Sequence, residues 1–158
     1  MVVIELETRI NAPIERVFDL SRSIDAHLDS TSATGERAVA GTTTGLIGLG
    51  ETVTWSAVHF GVRQQLTVEI VEYDRPHTFA DQMLTGAFKS MHHRHTFEEV
   101  DDGTLMRDCF TFEAPLGFLG TIAEKMVLAS YMRRFLETRN ARLKDLAEGD
   151  DWARFLPD

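Results

Sequence analysis

Four side chains in the middle of this chain, Asp81, His93, His95 and Asp108, are of the types that move protons, anchor polar groups or bind metals. Strand parity is what would bring them together, because alternate residues of a strand share one face. Around Met91 the odd positions are Met91, His93, His95 and Phe97, and the even ones are Ser90, His92, Arg94, Thr96 and Glu98. The odd set has apolar ends and is expected to face inward, with His92 outside. In the following run Met106, Asp108, Phe110 and Phe112 alternate with Arg107, Cys109, Thr111 and Glu113, so Asp108 is expected inside among aromatics. In the preceding run Phe79, Asp81 and Met83 alternate with Thr78, Ala80 and Gln82, which makes Asp81 a second inward carboxylate. Short connections make these strands antiparallel neighbours, with facing Cβ atoms about 4.5–5.5 Å apart. Two acid–imidazole pairs are expected, Asp108 with His95 and Asp81 with His93.

Burying an unpaired ion costs several kcal/mol, and pairing a carboxylate with an imidazole offsets much of that. Three readings of the cluster stay open. It is a satisfied network that fixes strand register, a polar anchor for a hydroxyl, carbonyl or carboxylate of a ligand, or a general acid–base pair for a dehydration or cyclisation. His93 and His95, with Asp81 or Asp108, also have the composition of a metal site. Two histidines at this spacing are common without an ion, so neither a metal nor a cofactor is expected.

One strand further upstream, Glu51, Val53, Trp55, Ala57 and His59 share a face, which would set Glu51 and His59 inside beside Trp55. Trp55, His59, Phe79, Asp81, Met83, Met91, His93, His95, Phe97, Met106, Asp108, Phe110 and Met126 are therefore the expected lining of an internal site. Large, adaptable side chains of this kind suit an irregular apolar molecule, although each also serves as ordinary core.

Other chemistries lack their residues. Gly41 to Gly50 is rich in glycine but lacks the Gly-Lys-Ser/Thr ending of a phosphate loop, and reads instead as a loop bordering the cavity mouth, free to act as a gate. Cys109 is the only cysteine and no Gly-x-Ser-x-Gly elbow occurs, so no intramolecular disulfide can form and no covalent nucleophile is expected. A formal charge of −9 argues against nucleic acid, because acidic residues interleave with the basic run Arg133, Arg134, Arg139, Arg142 and Lys144, a solvated helix face. No apolar stretch approaches the ~20 residues of a membrane span and no secretory signal opens the chain, so a cytoplasmic protein is expected.

The elements that must hold these residues follow from periodicity. Val2 to Ile10 alternates as a strand; Asn11-Ala12-Pro13 starts a short helix through Ile14, Val17 and Phe18, and Ile24, Ala26 and Leu28 form a second. From Thr34 to Glu113 six strands are separated by Gly41–Gly50, Phe60–Gly61, Asp74–Pro76, Thr85–Gly86 and Asp101–Gly103. Leu119, Ile122, Met126, Ala129, Met132, Leu136, Leu143 and Leu146 then recur at helical spacing, giving a long helix over about residues 118–147. The acidic tail, 148–158, carries Trp152, Phe155 and Leu156, which pack either on the domain itself or across a homodimer.

The expected fold is α+β: one domain over residues 1–158, a seven-stranded curved antiparallel sheet around the long C-terminal helix, with two short helices after strand 1. Asn11-Ala12-Pro13-Ile14-Glu15-Arg16-Val17-Phe18, Glu51-Thr52-Val53-Thr54-Trp55 and Pro115-Leu116-Gly117-Phe118-Leu119-Gly120 resemble the START, polyketide-cyclase and birch-pollen-allergen superfamily, SRPBCC, over nearly the whole chain. They look closest to its bacterial ligand-binding branch, sometimes labelled cell-division-inhibitor-like. The resemblance implies a helix-grip fold with an internal pocket for an apolar or amphipathic ligand. It implies no particular reaction. A carrier or sensor of a small lipid-like or aromatic molecule is the first expectation, beside a cyclase- or dehydratase-type enzyme and a protein-interaction accessory whose cavity its own side chains fill.

Overall fold

The structure, a computed structural model, describes residues 1–114 and 125–157 in full and 122–124 as backbone. Strand β1 is Val2–Ile10, whose inward positions include the buried Ile4 and Ile10. Pro13 stands just ahead of helix α1 (Ile14–Ser21), where a missing N–H loses no helical bond. Helix α2 (Ile24–Ser30) is capped by Ser23, whose Oγ accepts the Ala26 N–H at 3.1 Å. Strands β2 (Arg37–Gly41), β3 (Thr52–His59), β4 (Val62–Asp74), β5 (Thr78–Thr85), β6 (Ser90–Val100) and β7 (Gly103–Glu113) follow, then helix α3 (Ile122–Glu148).

All seven strands form one antiparallel sheet in the order β1-β7-β6-β5-β4-β3-β2. From β2 onward each strand pairs with the next, and β1 closes against β7 on the far side. Register shifts between Ala38 and Ala40 in β2, and at Thr67/Val68 and Ile70/Glu72 in β4, add the local twist that bends the sheet. The β3–β4 connection is the two-residue turn Phe60-Gly61 with φ of 51° and 74°, the positive pair that a tight hairpin of right-twisted strands requires. Glycine takes this conformation freely; Phe60 is held there against the preference of its Cβ.

Helix α3 buries Leu128, Met132, Leu136, Leu143 and Leu146. Phe18 of α1, fully buried, meets Tyr73, Phe79 and Phe97 edge-on at 5.6, 5.4 and 5.3 Å, closing one end of the concave face. The segment Pro115–Gly120 and the expected helical residue Leu119 lie outside the described residues. In the tail, the Arg16 guanidinium sits 4.0 Å over the Trp152 ring and donates to the Ala147 carbonyl, while Phe155 and Leu156 are half-buried against the core. The tail aromatics thus pack on the chain's own body. Among the described residues, no helix is long and apolar enough to cross a membrane.

Candidate functional site

The concave sheet and α3 enclose a cavity of about 550 Å³ with a mostly apolar wall. Phe60, Val62 and Ala87, which line it yet are exposed, mark where it meets solvent, between the β3–β4 turn and the β5–β6 connection. Of the expected lining residues, Trp55, His59, Phe79, Asp81, Met91, His93, His95 and Phe110 reach the cavity.

Five expected lining residues do not. Phe97 and Met106 point inward but lie where α1 packs on the sheet, Phe97 against Phe18 and Met106 3.6 Å from Ser21 Oγ, so they are core. Met83, half-buried, packs against the turn at Gly86. Met126 is 64% exposed, because it projects from the side of α3 opposite Leu128 and Met132. Asp108 is buried behind the two histidines and does not touch the cavity. Glu51 is a further correction: β3 begins at Thr52, and the exposed Glu51 carboxylate accepts the Gly48 N–H at 2.8 Å and the Thr42 hydroxyl at 3.1 Å.

Of the Gly41–Gly50 loop, only Ile47 lines the cavity. The loop is tied to α2 through Ile24 N–H to Gly45 O and through the Asp25 carboxylate, which accepts from Gly45 N–H and Thr44 Oγ1. Gly50 N–H donates to Ile70 O of β4.

The acid–histidine cluster forms with Asp108 beside His95 as expected, but Asp108 also takes His93, and Asp81 meets His95 instead of His93. The register sets Asp81 opposite His93 and His95 opposite Asp108. Sheet twist, however, brings one diagonal of each strand pair together. Asp108 Oδ1 therefore lies 2.8 Å from His93 Nε2, in a hydrogen bond, and 3.0 Å from His95 Nδ1, which is out of line for one. Asp81 Oδ2 lies 3.5 Å from His95 Nε2 rather than beside His93. Thus Asp108 serves both imidazoles. The two rings stack at 3.8 Å, and His95 also lies against Phe79 at 4.3 Å.

Two residues of α3 complete the cluster. Asn140 Nδ2 donates to Asp108 Oδ2 at 2.7 Å, and Asn140 Oδ1 accepts from Arg139 Nη1 at 3.0 Å. Arg139 Nη1 is itself 3.7 Å from Asp108 Oδ1, and its side chain reaches the cavity wall. Arg139, read from the sequence as part of a solvated basic face, is only 5% exposed. The signal is present in the spacing: positions 132, 136, 139 and 143 recur at helical intervals, so Arg139 shares the face of Met132, Leu136 and Leu143.

The two rings titrate in opposite directions. Burial, reinforced by the neighbouring His95, lowers His93 to about 4. For His95 burial also acts downward, but the adjoining Asp108 and Asp81 carboxylates outweigh it and the pKa is raised. Burial acts upward on both carboxylates, and the histidines override it: Asp108 is held well below its ordinary value and Asp81 is lowered. Between the His93 value of about 4 and pH 6.5, below which the raised His95 holds its proton, the cluster is therefore two carboxylates, an imidazolium at His95, a neutral His93 and the Arg139 guanidinium, which balance in charge.

A second polar group lies along the wall. His59 Nδ1 is 2.6 Å from the Tyr131 hydroxyl, and Tyr131 also packs against Phe60 at 4.5 Å. His27 pairs with Glu36 at 2.8 Å and lies 4.2 Å from the Trp55 ring. Sequence reasoning misses Tyr131, His27 and Glu36, since they come from separate helices and a connection with no shared period.

Solved structures share the fold at low identity. TTHA0849 from Thermus thermophilus superposes with a TM-score of 0.71 at 19% identity, covering 92% of this chain and 99% of its own. Ginseng major latex-like protein 151 from Panax ginseng gives 0.67 at 15%, covering 94% and 98%. Ara h 8.0201 gives 0.62 at 14%, covering 91% and 98%. A search of curated proteins finds no match. These structures share the overall fold at that level of likeness, and residues 1–148 match the family described as polyketide cyclase / dehydrase and lipid transport, to which this chain belongs.

Proposed function

We propose that the protein binds a small, largely apolar molecule in the cavity between the sheet and α3, with a polar end of that molecule held by His93, His95, Asp81 and Arg139. The observation that carries this reading is the combination of about 550 Å³ of mainly apolar space with four polar side chains grouped on one stretch of its wall. Apolar burial supplies affinity and the grouped polar atoms fix orientation. A lipid-like or aromatic molecule with one hydroxyl, carbonyl or carboxylate fits that division. Native mass spectrometry of freshly purified protein, compared with the same sample denatured, tests it. A stoichiometric mass lost on denaturation is expected; a bare chain from every host and medium, together with no saturable uptake of apolar carboxylates or phenols, contradicts it.

A second reading is favoured by one feature. Asp108 fixes His93 through Nε2 and leaves Nδ1 without a hydrogen bond among the described residues, in a ring that faces the cavity. An oriented imidazole of this kind suits a general acid or base in a cyclisation or dehydration. His93→Gln separates the two when uptake and conversion are measured apart: under both it weakens uptake by the loss of one of four anchors, and only under the second does the molecule still taken up cease to be converted.

A further inference from the structure

Asp81, His93 and His95 each offer a ligand atom, and these atoms all lie within 4.8 Å of one another. All three residues line the cavity. We infer that they form a site for one borderline divalent transition-metal ion, of the zinc, cobalt or iron class, with two imidazoles and one carboxylate as ligands and the remaining positions open to the cavity.

Three features of the geometry carry this. His95 Nε2 and Asp81 Oδ2 stand 3.5 Å apart, beyond an ordinary hydrogen bond. Two ligand atoms that each stand ~2.1 Å from one ion at a tetrahedral angle are about 3.4 Å apart, so the spacing suits a shared ion better than a shared proton. Metal-binding histidines usually give their second nitrogen to a carboxylate, which sets the ring and its tautomer. Here one buried carboxylate oxygen, Asp108 Oδ1, stands 2.8 Å from His93 Nε2 and 3.0 Å from His95 Nδ1, which turns the opposite edge of each ring away from Asp108. Asn140 holds that carboxylate from behind at 2.7 Å, so its own orientation is fixed.

The composition of the ligand set excludes calcium and magnesium, which prefer all-oxygen shells. Three protein ligands on one side also leave positions for water or for an oxygen of a bound molecule, as in open rather than structural metal sites. Arg139, on the same wall, adds positive charge that favours an anionic oxygen in such a position. Ion binding needs no organic occupant, so this inference and the proposed function fail separately.

Cobalt(II) is the probe, because its visible absorption reports low-coordinate nitrogen and oxygen ligation directly. Protein purified without a histidine tag and stripped with EDTA is titrated with Co²⁺ alone, followed by Zn²⁺ competition. One Co²⁺ per chain with visible d–d bands, displaced by Zn²⁺, is expected. Asp81→Asn and His93→Gln, checked for fold by circular dichroism, are expected to weaken Co²⁺ at least tenfold, and Asp108→Asn by about 10–100-fold through its effect on the rings. Absence of the bands in the wild-type protein overturns the site whether or not the variants fold, and so does an affinity unchanged in Asp81→Asn and His93→Gln.

Discussion

Replacing Asp108 with Asn keeps the shape of the side chain and removes its charge, and the chain of donors around it determines the outcome. Arg139 donates to Asn140, and Asn140 donates to Asp108. An amide at 108 that keeps its carbonyl toward His93 turns an NH₂ group on the NH₂ of Asn140. Flipping Asn140 relieves that clash only by turning the same NH₂ toward Arg139. In this orientation one buried donor is left unsatisfied either way, at a cost of about 1–3 kcal/mol; turning the amide over instead sets its NH₂ on His93 Nε2 and forces the His93 proton onto Nδ1. The Arg139 cation also loses its countercharge at 3.7 Å, an attraction of about 4 kcal/mol at an effective dielectric of 20. Relief from burying the carboxylate, and release of the proton from His95, offset part of this. The net loss should resemble that of other broken buried pairs, about 3–4 kcal/mol, which for a chain of this size lowers Tm by roughly 10 °C. Urea unfolding of Asp108→Asn, Arg139→Met and the double variant measures it, with the double variant costing clearly less than the sum of the singles. A loss below about 1 kcal/mol for Asp108→Asn, or strict additivity, would refute the network as described.

Further predictions concern pH and the cavity. In EDTA-treated protein the unfolded chain protonates both rings below about pH 6.5, whereas the folded chain carries its proton on His95 and keeps His93 neutral down to about pH 4. Stability should fall with pH across that window, by up to about 3 kcal/mol at its acid end, since a pKa difference of one between folded and unfolded chain is worth about 1.4 kcal/mol. The raised His95 works the opposite way: its contribution is complete below the unfolded pKa and disappears as pH rises through its folded value. Urea midpoints should therefore peak near pH 6.5, and a flat profile from pH 4 to 9 would contradict the assignment. Ala57 is buried on the cavity wall, so Ala57→Phe extends into empty space; it should change unfolding free energy by less than about 1 kcal/mol in thermal melts yet abolish uptake of apolar probes. Phe60→Asn relieves a left-handed conformation while removing a half-exposed ring from Tyr131; stability within about 1 kcal/mol of wild type is expected, with faster probe release in stopped-flow measurements.

The sheet and helix order could be read from period and turn chemistry because β1, β6 and β7 alternate between a wet and a dry face. The same parity set His93, His95 and Asp108 inward. It did not fix which acid meets which imidazole, since twist selects a diagonal that a flat ladder does not distinguish. Parity also reports only the side of the sheet: Phe97 and Met106 face inward, yet at a height where α1, not the cavity, covers them. Glu51 failed for a different reason, since the alternation was carried one residue past the start of β3 into a turn. Arg139 was missed by weighing charge above position on α3, and Asn140 has no charge or apolar period to draw notice; their spacing from Leu136 and Leu143 would have set both on the buried face.

Binding in the cavity can be read from inside it. The chain has two tryptophans, and only Trp55 lines the cavity, so Trp152→Phe leaves a single reporter on the wall. Titrating that variant with an apolar aromatic carboxylate should change Trp55 emission saturably at one molecule per chain, and Ala57→Phe in the same background should abolish the change. Binding that leaves Trp55 emission unaltered, or that survives Ala57→Phe, would contradict the account.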